Sequence, residues 1–275
     1  MKGEFIMKKF NNQEERLNFL IRQLLGENSE YKNFNFEEIK KMRIEEKKKI
    51  YRGLVNLRIP IKEKNNELIE VENEYLQEKL KNKKVTELFE IEEIQKDIYL
   101  WKGDITLLKV DAIVNAANSR MLGCFVPNHA CIDNCIHTFA GIQLREECNE
   151  IMLKQGHFEQ TGKAKITLAY NLPCKFVIHT VGPIILNKLS PVSEEDKQLL
   201  KNCYISCLEL AVHNNLKSIA FCCISTGEFH FPNKLAANIA IDTVKEFKMK
   251  NKSDIKIVFN VFKDLDFDIY DDLLK

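Results

Sequence analysis

The sequence predicts an α/β protein, a three-layer α/β/α sandwich with a mostly parallel central sheet, preceded by a small all-helical N-terminal region. Three observations lead there. Residues 1–95 carry apolar side chains at helical spacing in a background dense in Lys and Glu. From Asp97 onward, short β-branched apolar runs alternate with amphipathic stretches. Strands that alternate with helices form mostly parallel sheets covered on both faces. The expected organisation is a helical region over 1–95 and an α/β domain over 96–275.

In the first region, Leu17, Leu20, Ile21, Leu24 and Leu25 make one apolar stripe. Asn12 is positioned to cap that helix and Gly26 to stop it. A second helix is expected over 36–51, with Ile39, Met42, Ile44 and Ile50 on its buried face. A third is expected over 67–81, and a short one over 86–94. Nothing here resembles a chemical motif, so packing or partner contact is its expected role.

In the second region, residues 98–101, 112–115, 164–169, 175–179, 218–224 and 255–262 read as buried strands. Helical patterns fall at 135–154, 194–214 and 234–248, and a closing helix at 264–274. Ligands of such sheets bind at the carboxyl ends of the strands, where loops lead into helix N-termini. The chemically unusual residues gather in those loops.

Composition limits the function classes. The chain of 275 residues is 45% apolar and 29% charged, as in a soluble globular protein. A formal net charge of +1 argues against nucleic acid or an anionic membrane as a partner. Apolar runs fall far short of the roughly 20 residues needed to span a bilayer, and residues 1–9 lack an apolar core of signal-peptide length. A cytoplasmic location is expected. All nine cysteines lie at or after Cys124. Their odd number and the absence of a leader argue against a disulfide framework, leaving metal ligands, a reactive thiol or small buried hydrophobes.

Cys124, His129 and Cys131 form C-x4-H-x-C in a strand-to-helix loop stiffened by Pro127. Thiolate and imidazole are the ligands zinc prefers, and three ligands leave a fourth position open, as in catalytic sites. The alternative is buried cysteines and a loop histidine that satisfies backbone groups. Cys135 and His137 could compete as ligands, although the helical pattern favours a core role for both. Ser225, Thr226, Gly227, Glu228 and Phe229 follow a buried strand and precede a helix, a setting in which backbone N–H groups can turn toward a diphosphate. A helix-capping turn would look the same. Asp104 and Ile105 follow the first strand, where a carboxylate could accept from an adenine amino group or simply cap a turn. Asn115 and Asn118 end a strand at the ligand edge and could bind ribose hydroxyls or cap that strand. Asp133 precedes a helix, where a carboxylate is normally the cap, yet it stands two residues beyond a candidate zinc ligand. Cys148, Cys174, Cys203, Cys207, Cys222 and Cys223 read as core, and His179 fits either role.

In order, Gly103-Asp-Ile-Thr106, Val114-Asn-Ala-Ala-Asn118, Ile132-Asp133, Ile136-His137, Ala140-Gly141, His179-Thr-Val-Gly-Pro183 and Ser225-Thr-Gly227 resemble the macrodomain family over about residues 97–275. Typical members carry a glycine-rich stretch between the Asn-Ala-Ala-Asn strand and the Asp before the helix. Here Gly123-Cys-Phe-Val-Pro-Asn-His-Ala-Cys131 takes its place. That replacement resembles the zinc-containing branch, known as ADP-ribosyl hydrolases that are often encoded beside a sirtuin-type ADP-ribosyltransferase. The resemblance implies one zinc per chain at Cys124, His129 and Cys131. It also implies adenine at Asp104 and Ile105, diphosphate at Ser225 to Phe229, and Asn118 and Asp133 flanking the ribose from which the side chain leaves. The activity implied is removal of mono-ADP-ribose from acidic side chains of a modified protein. The competing class is a module that binds ADP-ribose without cleaving it and keeps zinc for structure. Because the glycine stretch is missing, mechanisms of the metal-free branch are not carried over.

Overall fold

The computed structural model describes residues 10–31, 33–61, 65–186 and 191–275. The leader expectation, placed on residues 1–9, lies outside the described residues. Four helices open the chain: α1 (Gln13–Glu27), α2 (Phe36–Lys41), α3 (Ile44–Leu57) and α4 (Asn66–Lys81). Asn12 caps α1 as expected, its side chain accepting from the Glu15 N–H at 2.9 Å. Gly26 does not end it, since α1 runs through Glu27. Leu17, Leu20, Ile21 and Leu24 pack with Tyr51, Val55, Leu68 and Tyr75 into a core of the bundle's own, which Ile142 also enters.

The helix expected over 36–51 is two helices. Arg43 turns to an extended conformation, and the Glu46 carboxylate accepts from its N–H at 3.0 Å, starting α3 afresh. Residues 86–94 are not helical. Strand β1 (Thr86–Glu87), a single 3-10 turn (Leu88–Glu90) and β2 (Glu93–Gln95) occupy that stretch. The apolar spacing read as helical there comes from a chain that folds back on itself.

The remaining elements are β3 (Ile98–Lys102), β4 (Leu108–Lys109), β5 (Ala112–Ala117), α5 (Ile132–Ala140), α6 (Ile142–Gln155), β6 (Ala164–Leu168), β7 (Phe176–Val181), α7 (Glu194–His213), β8 (Ser218–Phe221), α8 (Asn233–Asn251), β9 (Lys256–Val261) and α9 (Asp264–Leu274). Seven strands form one sheet in the order β2-β3-β9-β8-β5-β7-β6, and β1 pairs with β4 in a small separate sheet. Strands β3, β9, β8, β5 and β7 are parallel, while the two edge strands are antiparallel. The expected three-layer, mostly parallel α/β architecture is what forms. Its core runs through Ile113, Val114, Ile178, Ile219, Val258 and Phe259. Among the described residues, no helix is long and apolar enough to cross a membrane.

The single helix expected over 135–154 is broken. Gly141 has φ +95°, and a Cβ there would stand 2.9 Å from a Glu72 carboxylate oxygen. That carboxylate accepts from the Ile142 N–H at 2.8 Å, so a residue of α4 starts α6. Helix α5 also begins earlier than expected, at Ile132, which places Asp133 inside its first turn.

Topology sets the site. From β5 the chain moves out to the edge strand β6, comes back through β7, crosses to β8 on the other side of β5 and continues to β9. Strands β5 and β8 are paired only at Ala112–Ile219 and Ile113–Ala220, so they part toward their carboxyl ends. This is the switch point at which open α/β sheets hold ligands. The loops leaving it are residues 118–131 and 222–232.

Candidate functional site

Cys124, His129 and Cys131 are brought together. One ligand atom from each lies within 4.8 Å of the others, and Cys124 Sγ is 3.7 Å from His129 Nδ1. A sulfur at about 2.3 Å and a nitrogen at about 2.0–2.1 Å from one tetrahedral ion stand about 3.6 Å apart, so this edge has a length that a metal ion could bridge. All three side chains are half-buried. Without a cation, burial chiefly, with the adjacent Cys124, pushes the Cys131 thiol up to about 12. His129 Nε2 points to Glu228, 3.8 Å from its carboxylate oxygen. A carboxylate behind the free nitrogen is the usual partner of a metal-bound imidazole.

Asp133 is not a helix cap. The N-cap of α5 is Cys131, and the Asp133 carboxylate instead faces strand β5. Asn115 Nδ2 donates to Oδ1 at 2.8 Å and Asn118 Nδ2 to Oδ2 at 3.3 Å. His137 Nε2 lies 3.6 Å from Oδ1. Burial raises the Asp133 carboxyl to about 6, against the opposing pull of Asn115, Arg145 and Asn118. Arg145 is itself lowered by burial to about 10, so it is charged at neutral pH.

Asn115 is fully buried, and its side chain is held inside the fold. Its register partner across β5 and β7 is His179, whose Nδ1 is 3.1 Å from Asn115 Nδ2. His179 Nε2 lies 3.0 Å from Thr167 Oγ1. Burial holds His179 down at about 3, so it is neutral. The consistent assignment puts the proton on Nε2, donating to Thr167, while Nδ1 accepts from Asn115. Both N–H bonds of Asn115 are then used, one on His179 and one on Asp133. Asn118 is equally committed. Its Nδ2 also donates to the Gly123 carbonyl at 3.1 Å, and its Oδ1 accepts from the Arg120 N–H at 3.0 Å. A second cysteine–histidine cluster, His137, Cys148 and His179, is wholly buried. Because His179 has both nitrogens bonded, this cluster reads as core.

The loop after β8 presents free donors. Thr226, His230 and Phe231 N–H groups bond inside the loop, to Cys223, Gly227 and Ser225 carbonyls. Among the described residues, Gly227, Glu228 and Phe229 donate their N–H groups to no protein acceptor. Three successive unpaired amides are donors that an anion could use. Two non-glycine residues here adopt left-handed backbone, Ser225 at φ +65° and His230 at φ +58°. The Ser225 hydroxyl is buried without a partner. Gly182 makes room for it, since a Cβ there would stand 2.0 Å from Ser225 Oγ. The Phe229 carbonyl accepts from the Ile185 N–H at 2.8 Å, anchoring the loop to the segment after β7. The Glu228 side chain, aimed at His129, offers an anion only its backbone.

Asp104 Oδ1 caps the 3-10 turn Ile105–Leu107, accepting from Thr106 N–H at 3.0 Å and Thr106 Oγ1 at 2.6 Å. Its second oxygen remains available to a ligand. Ile105 is buried, so only its backbone can take part. Sequence reasoning missed Arg52 and Asn56 of α3, Asn134 of α5 and Arg145 of α6, which surround the Cys-His-Cys loop. Asn134 had a signal, since it adjoins Asp133 at the helix start. The arginines and Asn56 had none, because only the fold brings them near.

The chain is similar to known proteins in sequence and in fold. The Macro domain family model matches residues 114–240. A Protein-ADP-ribose hydrolase of Treponema medium is 52% identical over 266 residues, covering 95% of this chain and 99% of the relative. A Protein-ADP-ribose hydrolase of Staphylococcus aureus strain MSSA476 is 46% identical over 265 residues, covering 96% and 97%. Among solved structures, the Trypanosoma brucei macrodomain in complex with ADP-ribose superposes with a TM-score of 0.62 at 28% identity, covering 81% of this chain and 95% of that one.

Proposed function

The chain belongs to the Macro domain family, and we propose that it is a zinc-dependent hydrolase that removes mono-ADP-ribose from acidic side chains of modified proteins. The names of its relatives support ADP-ribose removal. The observation that carries the zinc and the chemistry is the convergence of three groups at the β5/β8 switch point. These are the Cys124-His129-Cys131 triad, the buried Asp133, and the free amides of Gly227, Glu228 and Phe229. A sirtuin-type transferase is the expected source of the modification.

Cys124, His129 and Cys131 would hold the metal, which when bound supplies a Lewis acid with an open position. The chain's own residues do the rest. The amides of Gly227, Glu228 and Phe229 bind the diphosphate, and the uncommitted Asp104 oxygen accepts from the adenine amino group. Asn115 and Asn118 fix the Asp133 carboxylate from both sides, so it acts in one orientation. The bond from the ribose anomeric carbon to the side-chain oxygen breaks, and that oxygen leaves with the bonding pair as a carboxylate. A water oxygen bonds to the anomeric carbon, and Asp133 accepts the water's proton.

A time course of ADP-ribose release from a substrate modified on acidic residues tests the reading. Release that stops with a zinc chelator and resumes with added zinc supports it. Tight ADP-ribose binding without release from any modified substrate would make the protein a reader with a structural zinc.

A further inference from the structure

The N-terminal helices carry no chemistry of their own, yet α3 lies against the loop that holds Cys124, His129 and Cys131. Arg52 Nη2 donates to the His129 carbonyl at 2.7 Å, to Asn134 Oδ1 at 2.9 Å, and approaches Cys135 Sγ at 3.6 Å. One turn on, Asn56 is fully buried. Its Oδ1 accepts from the Asn128 N–H at 2.9 Å, and its Nδ2 donates to Thr138 Oγ1 at 3.0 Å. Between them, Gly53 faces the loop tip, where a Cβ would be in ordinary contact distance, 3.4 Å from Asn128 Nδ2 and 3.8 Å from Pro127 Cβ. The turn of α3 from residue 52 to 56 is therefore a bed for residues 127–129.

The loop has little internal structure to replace that bed. Between Cys124 and Cys131 its one internal backbone bond among the described residues is His129 N–H to the Val126 carbonyl, at 3.2 Å. The other ties come from Asn134, whose Nδ2 donates to the Val126 carbonyl at 3.0 Å and the Cys124 carbonyl at 3.4 Å. Arg52 decides which way round that amide sits. A guanidinium can only donate, so it holds Oδ1 toward itself and leaves Nδ2 facing the loop. Arg145 completes the clamp. Its Nη1 donates to the carbonyls of Val55, Asn56 and Arg58 at the end of α3, and its guanidinium lies 4.4 Å from the Phe125 ring centroid.

We infer that α3 is the template of the metal-binding loop, with Arg52 and Asn56 as positioning residues that hold Cys124, His129 and Cys131 in ligating geometry. The inference rests on the zinc reading above and extends it to the N-terminal helices. Ligands held in place before the ion arrives lose less freedom on binding it. Groups that orient metal ligands typically contribute 10- to 100-fold in affinity.

The test measures the rate at which zinc-loaded protein loses zinc to an excess of chromophoric chelator. Wild type is compared with Arg52→Gln, Asn56→Ala and Arg16→Gln. Arg16 bonds Glu74 and Glu78 within the bundle, away from the loop, so its loss loosens the bundle alone. Arg52→Gln and Asn56→Ala are expected to release zinc at least about tenfold faster than wild type, with Arg16→Gln unchanged. Arg52→Lys, which keeps the charge but carries its donor nitrogen on a more flexible stem without the planar guanidinium, should fall between. Release from both α3 variants at the wild-type rate overturns the template while leaving the metal site standing. Equal acceleration by Arg16→Gln also overturns it, since general loosening would then suffice. A wild-type protein that binds no zinc overturns the metal reading itself.

Discussion

Replacing Asp133 by asparagine separates chemistry from stability, because the geometry makes the two effects unequal. The carboxylate accepts from Asn115 at 2.8 Å and from Asn118 at 3.3 Å. An asparagine of the same shape keeps one acceptor and turns an N–H toward the other donor, so one bond is lost. A buried donor left unpaired costs about 1–3 kcal/mol. Against this, the variant no longer buries a charge, the effect that raises Asp133 to about 6. The net change in stability should therefore be small, with Tm moving by no more than a few degrees at about 2–4 °C per kcal/mol for a chain of this size. The lost proton acceptor is a different matter. General bases contribute about 10²–10⁴-fold, or about 3–5 kcal/mol of transition-state free energy. Single-turnover release of ADP-ribose from a modified substrate should fall by at least a hundredfold, while calorimetric ADP-ribose affinity stays within a few-fold of wild type. Turnover within tenfold of wild type would refute the proton-acceptor role. An equal loss in affinity and rate would make Asp133 a binding residue.

Other expectations follow from the same geometry. Cys124→Ala or Cys131→Ala should remove zinc, measured by elemental analysis, from a wild type carrying about one ion per chain; full retention in both would exclude the triad. Asp104→Ala should weaken adenine-containing ligands in calorimetry and leave ribose phosphate little changed, whereas equal losses would make the residue purely a turn cap. Gly182→Ala would drive a methyl group to within 2.0 Å of Ser225 Oγ. It should displace the diphosphate loop, weakening ADP-ribose binding tenfold or more, about 1.4 kcal/mol, while zinc content is unchanged. His179 is held at about 3 in the folded protein, below its ordinary value of about 6.5. Above that value both states are neutral and the group adds nothing to pH dependence. As pH falls from about 6.5 toward 3, the unfolded chain takes up a proton that the folded one refuses, so stability drops by up to about 1.4 kcal/mol per unit. Denaturant midpoints across that window should fall less steeply for His179→Gln than for wild type; identical slopes would remove His179 as the cause.

The parallel strands were legible because a strand buried on both faces is apolar along most of its length, as in Ala112–Ala117 and Lys256–Val261. The short segments β1, β2 and β4 were not, since two or three residues carry no period. The break at Gly141 was hidden for a different reason. The carboxylate that starts α6 belongs to Glu72, about seventy residues earlier. In the site, C-x4-H-x-C was readable because ligands supplied by one loop appear as spacing. That Asp133 is held by Asn115 and Asn118 rather than capping its helix was not readable, because those partners lie at the end of β5. Arg52 and Asn56 were illegible on the same ground. Their partners are 77 and 82 residues away for Arg52 and 72 for Asn56.

The most direct test of the central claim follows ADP-ribose release over time from a protein modified on acidic side chains. Intact protein is compared with protein stripped by a chelator and with stripped protein given zinc again. Release should be complete with the intact protein, absent after stripping and restored by zinc. Undiminished release from metal-free protein would contradict the account.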